Sequence, residues 1–250
     1  MRRTLLLAAL LALALPSLAG ADPPRYGIVR PASERGLSSR ELGKQLYAGN
    51  CSLCHGSNGE GSQKGPSLRG KGARAADFYL RTGYMPLRTP GIEPARSRVL
   101  FSEREIRALV GYVGSFGGPP VPQPHPERGS LSRGLKLFTE HCAGCHQVVA
   151  QGGFVTGARV PPLEAATAVQ VAEAVRTGPY YMPRFSRRAI SDRQLDDIVA
   201  YVQWTKNADH RGGWPLGYIG PLPEGLVTWF VALAVLVATC IVIGKRLRSS

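Results

Sequence analysis

Ile106, Leu109, Val110 and Val113 recur at i, i+3, i+4 and i+7, and Leu195, Ile198, Val199 and Val202 repeat the pattern further along the chain. Each stripe predicts an amphipathic helix with one buried face. Both starts are signalled in the same way. Ser102-x-x-Glu105 and Ser191-x-x-Gln194 are capping boxes, with Phe101/Ile106 and Ile190/Leu195 placed as hydrophobic staples across them. A shorter helix precedes each. Gly43-x-x-Leu46-Tyr47 and Gly134-x-x-Leu137-Phe138 pair a glycine, where another element can cross closely, with an aromatic to pack at the crossing. Tyr112 and Tyr201 hold equivalent places beside the long stripes. The pattern is that of an internally duplicated, all-α protein. Its copies, residues 39–118 and 130–209, are each small enough that a bound group must supply much of the core.

Two apolar runs fall outside the repeat. Gly225 to Gly244 carries no charge and is long enough to cross a bilayer. It is followed by Lys245, Arg246 and Arg248, with Trp214, Tyr218 and Trp229 near its entry side. Basic residues stay cytoplasmic and aromatics favour the interface, so residues 245–250 are expected inside and both repeats outside, on the extracytoplasmic face of the cell membrane. Residues 1–21 join Arg2 and Arg3 to an apolar run from Leu5 to Leu15 and the small residues Ala19-Gly-Ala21, the make-up of a secretory signal peptide. Residues 22–38 read as a flexible leader. Gly117 to Pro126 holds five prolines, which predicts an extended linker over 119–129. Residues 210–224 form a juxtamembrane segment.

The repeats carry chemistry at matching places. Cys51-Ser-Leu-Cys54-His55 and Cys142-Ala-Gly-Cys145-His146 are Cys-x-x-Cys-His signatures, the pattern of covalent haem attachment. The two thiols can bond one porphyrin, and the adjacent His stands ready as an iron ligand. Four cysteines would also suit a tetrahedral zinc, but that leaves two histidines unexplained. A disulfide framework is not needed by a chain of 250 residues with a good core. Apart from Met1, the sequence has only Met85 and Met182, each followed by proline and each downstream of a Cys-x-x-Cys-His. We expect them to be the second axial ligands. A thioether opposite imidazole raises the potential and fills the iron, leaving no position for oxygen or peroxide. Between His and Met in each copy lies a Pro-x-Leu, Pro66-Ser-Leu68 and Pro161-Pro-Leu163. The carbonyls of Pro66 and Pro161 are candidates to accept the other ring N–H of each histidine.

The order helix, Cys-x-x-Cys-His, Pro-x-Leu, Met, C-terminal helix is similar to the class I cytochrome c fold. The expected architecture is therefore all-α, with two tandem class I cytochrome c domains followed by one C-terminal transmembrane helix. Two covalent haem c groups are expected, attached through Cys51, Cys54, Cys142 and Cys145 and ligated by His55, Met85, His146 and Met182. The copies differ between Met and the last helix, where the first has an extra Pro- and Arg-rich loop, Arg88 to Arg96, beside the first haem. Three other histidines, His125, His141 and His210, read as solvated or structural. Cys240, within the apolar span, reads as a small lipid- or helix-facing residue.

Charge changes the picture little. Thirty-one Lys and Arg against 17 acids give +14, and setting aside Arg2, Arg3, Lys245, Arg246 and Arg248 leaves +9. A basic exterior can steer an acidic protein or sit near anionic lipid. No aromatic-interleaved basic stripe or groove-reading motif points to nucleic acid.

One further resemblance rests on Cys51–His55, Gly83–Leu87, Gly111–Gly117, Cys142–His146, Thr177–Pro183 and the Gly-rich run Gly212–Leu226 that enters the apolar span. Together these resemble the dihaem cytochrome c subunit, cytochrome cc, of actinobacterial-type cytochrome bc complexes. The resemblance implies a cytochrome b subunit, a Rieske iron–sulfur protein and a terminal cytochrome c oxidase as partners. It also implies transfer of electrons from quinol towards oxygen, with the first haem nearer the oxidase. The chain would contribute to a quinol:cytochrome c oxidoreductase without breaking bonds itself. The residues leave open an anchored dihaem carrier serving a periplasmic dehydrogenase, and a dihaem peroxidase, which would need a displaceable ligand.

Overall fold

The computed structural model describes residues 27–87, 95–155, 157–206 and 221–249. The signal segment 1–21, most of the Arg88–Arg96 loop, His210 and most of the juxtamembrane segment lie outside the described residues. The chain divides at Thr205 into two units.

In the first unit, helix α1 (Ser39–Asn50) opens on a capping box, Ser38 with Glu41, and runs into α2 (Ser52–His55). Helix α3 (Gly72–Arg81) and helix α4 (Glu103–Gly114) complete the first domain. The second repeats the series with α5 (Leu131–His141), α6 (Ala143–His146), α7 (Ala168–Thr177) and α8 (Asp192–Thr205). The capping boxes read at Ser102 and Ser191 are closed in both directions, the Gln194 N–H donating to Ser191 Oγ and the Ser191 N–H to Gln194 Oε1. The glycines sit where the terminal helices cross. A Cβ on Gly43 would lie 2.2 Å from the Ala108 carbonyl oxygen, and one on Gly134 would lie 2.1 Å from that of Asp197. Aromatics close both crossings, Tyr47 with Tyr112 and Phe138 with Tyr201, each pair 5.3 Å between ring centroids. Leu42, Leu46, Ile106, Leu109 and Val113 fill one core, and Val171, Val175, Leu195, Ile198 and Val202 fill the other.

Four features depart from the expectation. A two-stranded antiparallel hairpin, β1 (Gly153–Val155) and β2 (Ala158–Val160), interrupts the helices of the second domain. Helices α3 and α7, between the Pro-x-Leu and Met segments, were not anticipated. Residues 27–38, expected to be a free leader, are held against the first domain. Asn50 exchanges hydrogen bonds with Val29, the Arg30 guanidinium donates to the buried Glu105 carboxylate at 2.6 Å, and Ile28 and Leu37 pack on the core. Finally, the proline-rich segment is extended but strapped down. The Arg74 N–H donates to the Pro119 carbonyl, Val121 packs on the first core, and the His125 N–H donates to Asp196 in the second domain.

The second unit contains helix α9 (Pro221–Ser249). Within Gly225–Arg248 an 18-residue window reaches a mean hydropathy of 2.8, and the apolar side chains point outward, which fits a membrane anchor. Cys240 is among those exposed side chains.

Candidate haem sites

Each Cys-x-x-Cys-His forms its own short turn of helix directly after α1 or α5. The His55 and His146 N–H groups donate to the Cys51 and Cys142 carbonyls, both at 2.9 Å, which sets the two cysteines and the histidine around one turn. The ring orientation expected from sequence is present in both copies. His55 Nδ1 donates to the Pro66 carbonyl at 2.8 Å and His146 Nδ1 to that of Pro161 at 3.3 Å. A backbone carbonyl can only accept, so the proton belongs on Nδ1 and the Nε2 lone pair is left for a metal. Burial lowers the His146 pKa, only partly opposed by the Pro161 carbonyl, which keeps the ring neutral.

One tyrosine hydroxyl in each copy locks the loop after the histidine, from different helices. Tyr47 on α1 donates to the Gly56 carbonyl at 2.7 Å, whereas Tyr201 on α8 donates to that of Val148 at 2.8 Å. Phe138 stands where Tyr47 does, so the hydroxyl has moved to the facing helix.

In the second domain Cys142, Cys145, His146 and Met182 line a common cavity of about 240 Å³ walled chiefly by apolar side chains. The β-hairpin forms part of that wall through Val155 and Val160. So does the first domain, through Phe78, Thr82, Tyr84 and Arg96. The described end of the Arg88–Arg96 loop thus borders the second site, where sequence had placed the loop beside the first. His141 is exposed but also lines the cavity, edge-on against Phe185. His125 is exposed beside Glu127 at 3.0 Å, as a solvated linker residue should be. Met85, Cys51 and Leu68 each pack against the first core, and Met182, Cys142 and Leu163 against the second.

The donor set suits thioether attachment better than a thiolate-bound ion. Burial, with the neighbouring cysteine, pushes the Cys51 thiol up to about 12 and the Cys142 thiol up to about 11, whereas zinc requires thiolates. The two Cys pairs belong to separate domains, and among the described residues no three His, Cys, Asp or Glu side chains converge on one ion position. Cys51 and Cys142 instead pack against the apolar cores of their own domains, each in a motif whose histidine is already oriented.

Residues 40–116 match the family described as cytochrome c, and residues 129–202 match cytochrome C oxidase, cbb3-type, subunit III. The chain is 36% identical over 229 residues to the cytochrome bc1 complex cytochrome c subunit of Mycobacterium tuberculosis, covering 87% of this chain and 82% of that one. It belongs to that family. The subunit of the same name from Corynebacterium diphtheriae is 35% identical over 224 residues, 82% of this chain and 80% of its own. A more distant similarity, 28% over 185 residues, is to the cbb3-type cytochrome c oxidase subunit CcoP of an Azospirillum species and covers 64% of this chain and 60% of that one. As a member of the bc1-type cytochrome c subunit family, the chain has two cytochrome c domains, carries two covalent haem c groups, and transfers electrons.

Proposed function

We propose that the chain is the membrane-anchored electron relay of a quinol-oxidising cytochrome bc complex, taking electrons from a Rieske iron–sulfur protein associated with cytochrome b and delivering them to a terminal cytochrome c oxidase. Haem supplies reversible one-electron exchange at iron, tuned by its axial ligands. Cys51 and Cys54 hold one group covalently, and Cys142 and Cys145 the other. His55 and His146 would hold the irons through Nε2, each ring fixed by a proline carbonyl. Met85 and Met182 would hold the irons through their thioethers and so would keep water and oxygen from the metal. The chiefly apolar lining of the second cavity would limit the reorganisation that accompanies each change of charge.

The observation that carries this reading is the coverage. The alignment with the bc1-type subunits takes in both domains and most of the chain, whereas the resemblance to the oxidase subunit is shorter and weaker. The anchor supports it as well. A tethered carrier cannot diffuse to find its acceptor and gains effective concentration beside it instead. The cations at 245–248 favour a cytoplasmic tail, which supports an extracytoplasmic side for the haem domains. Affinity purification from membranes in mild detergent tests the assignment. Cytochrome b, the Rieske protein and oxidase subunits should come down together. Recovery with a periplasmic dehydrogenase and no cytochrome b would overturn it.

A further inference from the structure

The two haem domains meet through equivalent helices. Aligning Thr82-Gly83 with Thr177-Gly178 makes α3 the counterpart of α7, and these two helices pack on each other. Much of their polar chemistry is duplicated. Arg81 pairs with Glu103 at the start of α4 at 2.8 Å, and its counterpart Arg176 pairs with Asp192 at the start of α8 at 2.8 Å. Two carboxyl groups break the symmetry. Asp77 stands where the second domain has Ala172, and Glu173 where the first has Phe78. They meet at the interface. Glu173 has no exposed surface and Asp77 is 5% exposed.

Their partners are unequal. Asp77 accepts from Arg81 Nε–H through both oxygens, at 2.8 and 2.9 Å, as an ionised carboxylate does. Neither oxygen of Glu173 accepts from any donor among the described residues. Its close polar neighbour is the Asp77 carboxyl group. A fully buried carboxylate without a donor is strongly disfavoured, and two adjacent buried carboxylates more so. A proton on Glu173, donated to Asp77, satisfies both groups at once.

We propose that Glu173 and Asp77 form a proton-binding site joining the two haem domains, which in alkaline solution, where Glu173 ionises, takes up one proton when the haems are reduced and releases it when they are oxidised. The inference rests on the two-haem assignment but not on the respiratory partners. The coupling follows from position. Phe78 and Ala174, each next in sequence to one of the carboxyl residues, line the second haem cavity. An added electron makes the interior more negative. The Glu173 carboxylate then takes a proton from solvent to become the acid, and on oxidation the proton returns to solvent with no other bond changed. The donor to the iron is whatever reductant serves the established electron transfer.

The remaining charges at the interface set the range. Arg81 and Arg74 from α3 favour the ionised form of Glu173; Arg176 from α7, with Arg184 and Arg187 beyond it, bears on Arg74 in turn. Glu103 and Asp192 occupy Arg81 and Arg176, and Arg187 also reaches Asp192. Burial first, then the charge and hydrogen bond of Asp77, outweigh the arginines and push the Glu173 carboxyl up to about 9. Its affinity for a proton is therefore higher when the domains are docked than when Glu173 is in water. The docked state is favoured most at low pH and loses that advantage as pH rises from the ordinary carboxylate value through about 9.

The test uses the full chain with both haems in detergent. Potentiometric titration from about pH 6 to about pH 10 should show one midpoint falling with pH in the upper part of the range, by no more than about 59 mV per pH unit, a tenfold change for one electron. Glu173→Gln should abolish this dependence. Asp77→Asn, which removes the charge that raises Glu173, should move it to lower pH. The reduced-minus-oxidised infrared spectrum of the unmodified protein should contain a protonated-carboxyl band that shifts in D₂O, a readout independent of whether the variants fold. A pH dependence identical in Glu173→Gln, or no such band in the unmodified protein, overturns the proposal.

Discussion

The clearest energetic test is a pair of identical substitutions on two helices that touch. Ala is a better helix former than Gly by about 0.8–1.0 kcal/mol. On propensity alone, Gly43→Ala in α1 and Gly111→Ala in α4 should both stabilise the first domain. The packing separates them. A Cβ on Gly111 has nothing within 4 Å, so the propensity gain should be kept. A Cβ on Gly43 would lie 2.2 Å from the Ala108 oxygen, 2.8 Å from its carbonyl carbon and 2.9 Å from Tyr112 Cβ. None of these atoms is the end of a flexible side chain, so α1 and α4 must move apart. That movement opens the contact among Leu42, Leu46, Ile106 and Leu109, each at most 3% exposed. Overpacking of this kind costs about 1–3 kcal/mol, and subtracting the propensity gain leaves a net loss of up to about 2 kcal/mol. For a domain of this size a loss of 1 kcal/mol lowers Tm by about 4–8 °C. Thermal unfolding followed by the Soret circular dichroism of the oxidised protein should show Gly43→Ala melting lower and Gly111→Ala melting higher than the parent. Shifts of the same sign would refute the argument that the glycine is required by the helix crossing.

Replacing Met85 or Met182 by Ala should abolish the methionine–ferric iron charge-transfer absorption of one haem and lower its potential, with both haems still covalently bound. An unchanged spectrum and titration for both variants would mean the distal assignment is wrong. Burial pushes the Asp197 carboxyl up, but the Arg133 guanidinium at 2.9 Å and the Ser130 N–H at 2.6 Å outweigh it and hold its pKa below the ordinary value. This stabilisation is present above the ordinary carboxylate range and is lost as pH falls through the lower folded-state value. Asp197→Asn should therefore destabilise the second domain by about 1–3 kcal/mol at neutral pH and flatten its acid limb in urea melts taken at successive pH values. A chain ending at Pro223 should be exported as a soluble dihaem protein, whereas the full chain should need detergent. Sedimentation of the shortened form with salt-washed membranes would assign the anchor elsewhere.

What could be seen from sequence was what the duplication repeats. Gly43 and Gly134, the two capping boxes and the Pro66 and Pro161 carbonyls each occur twice at matching offsets, so a weak local signal was read against its copy. The features missed are those present once or lacking periodic apolar residues. The hairpin spans Gly153–Val160 in the second domain alone, with Phe154 pointing to solvent, so it has no strand-like apolar face of its own length. Helix α7 did carry a signal, the Thr167-x-x-Gln170 capping box, now seen closed in both directions. Helix α3 has no capping side chain, and its buried face includes Asp77, which binary patterning assigns to solvent. The docking of residues 27–38 depends on Arg30 reaching Glu105, a pairing across seventy-five positions that no local pattern encodes. For the same reason the contribution of Phe78, Thr82 and Tyr84 to the second site was invisible until the domains were seen side by side.

A tethered relay between quinol oxidation and an oxidase can be tested by oxygen uptake. The complex purified in mild detergent through this chain should oxidise quinol and consume oxygen with no soluble cytochrome c added, and its turnover per complex should not change on dilution. Activity that depends on added soluble cytochrome c, or that falls with dilution while the complex stays intact, would contradict it.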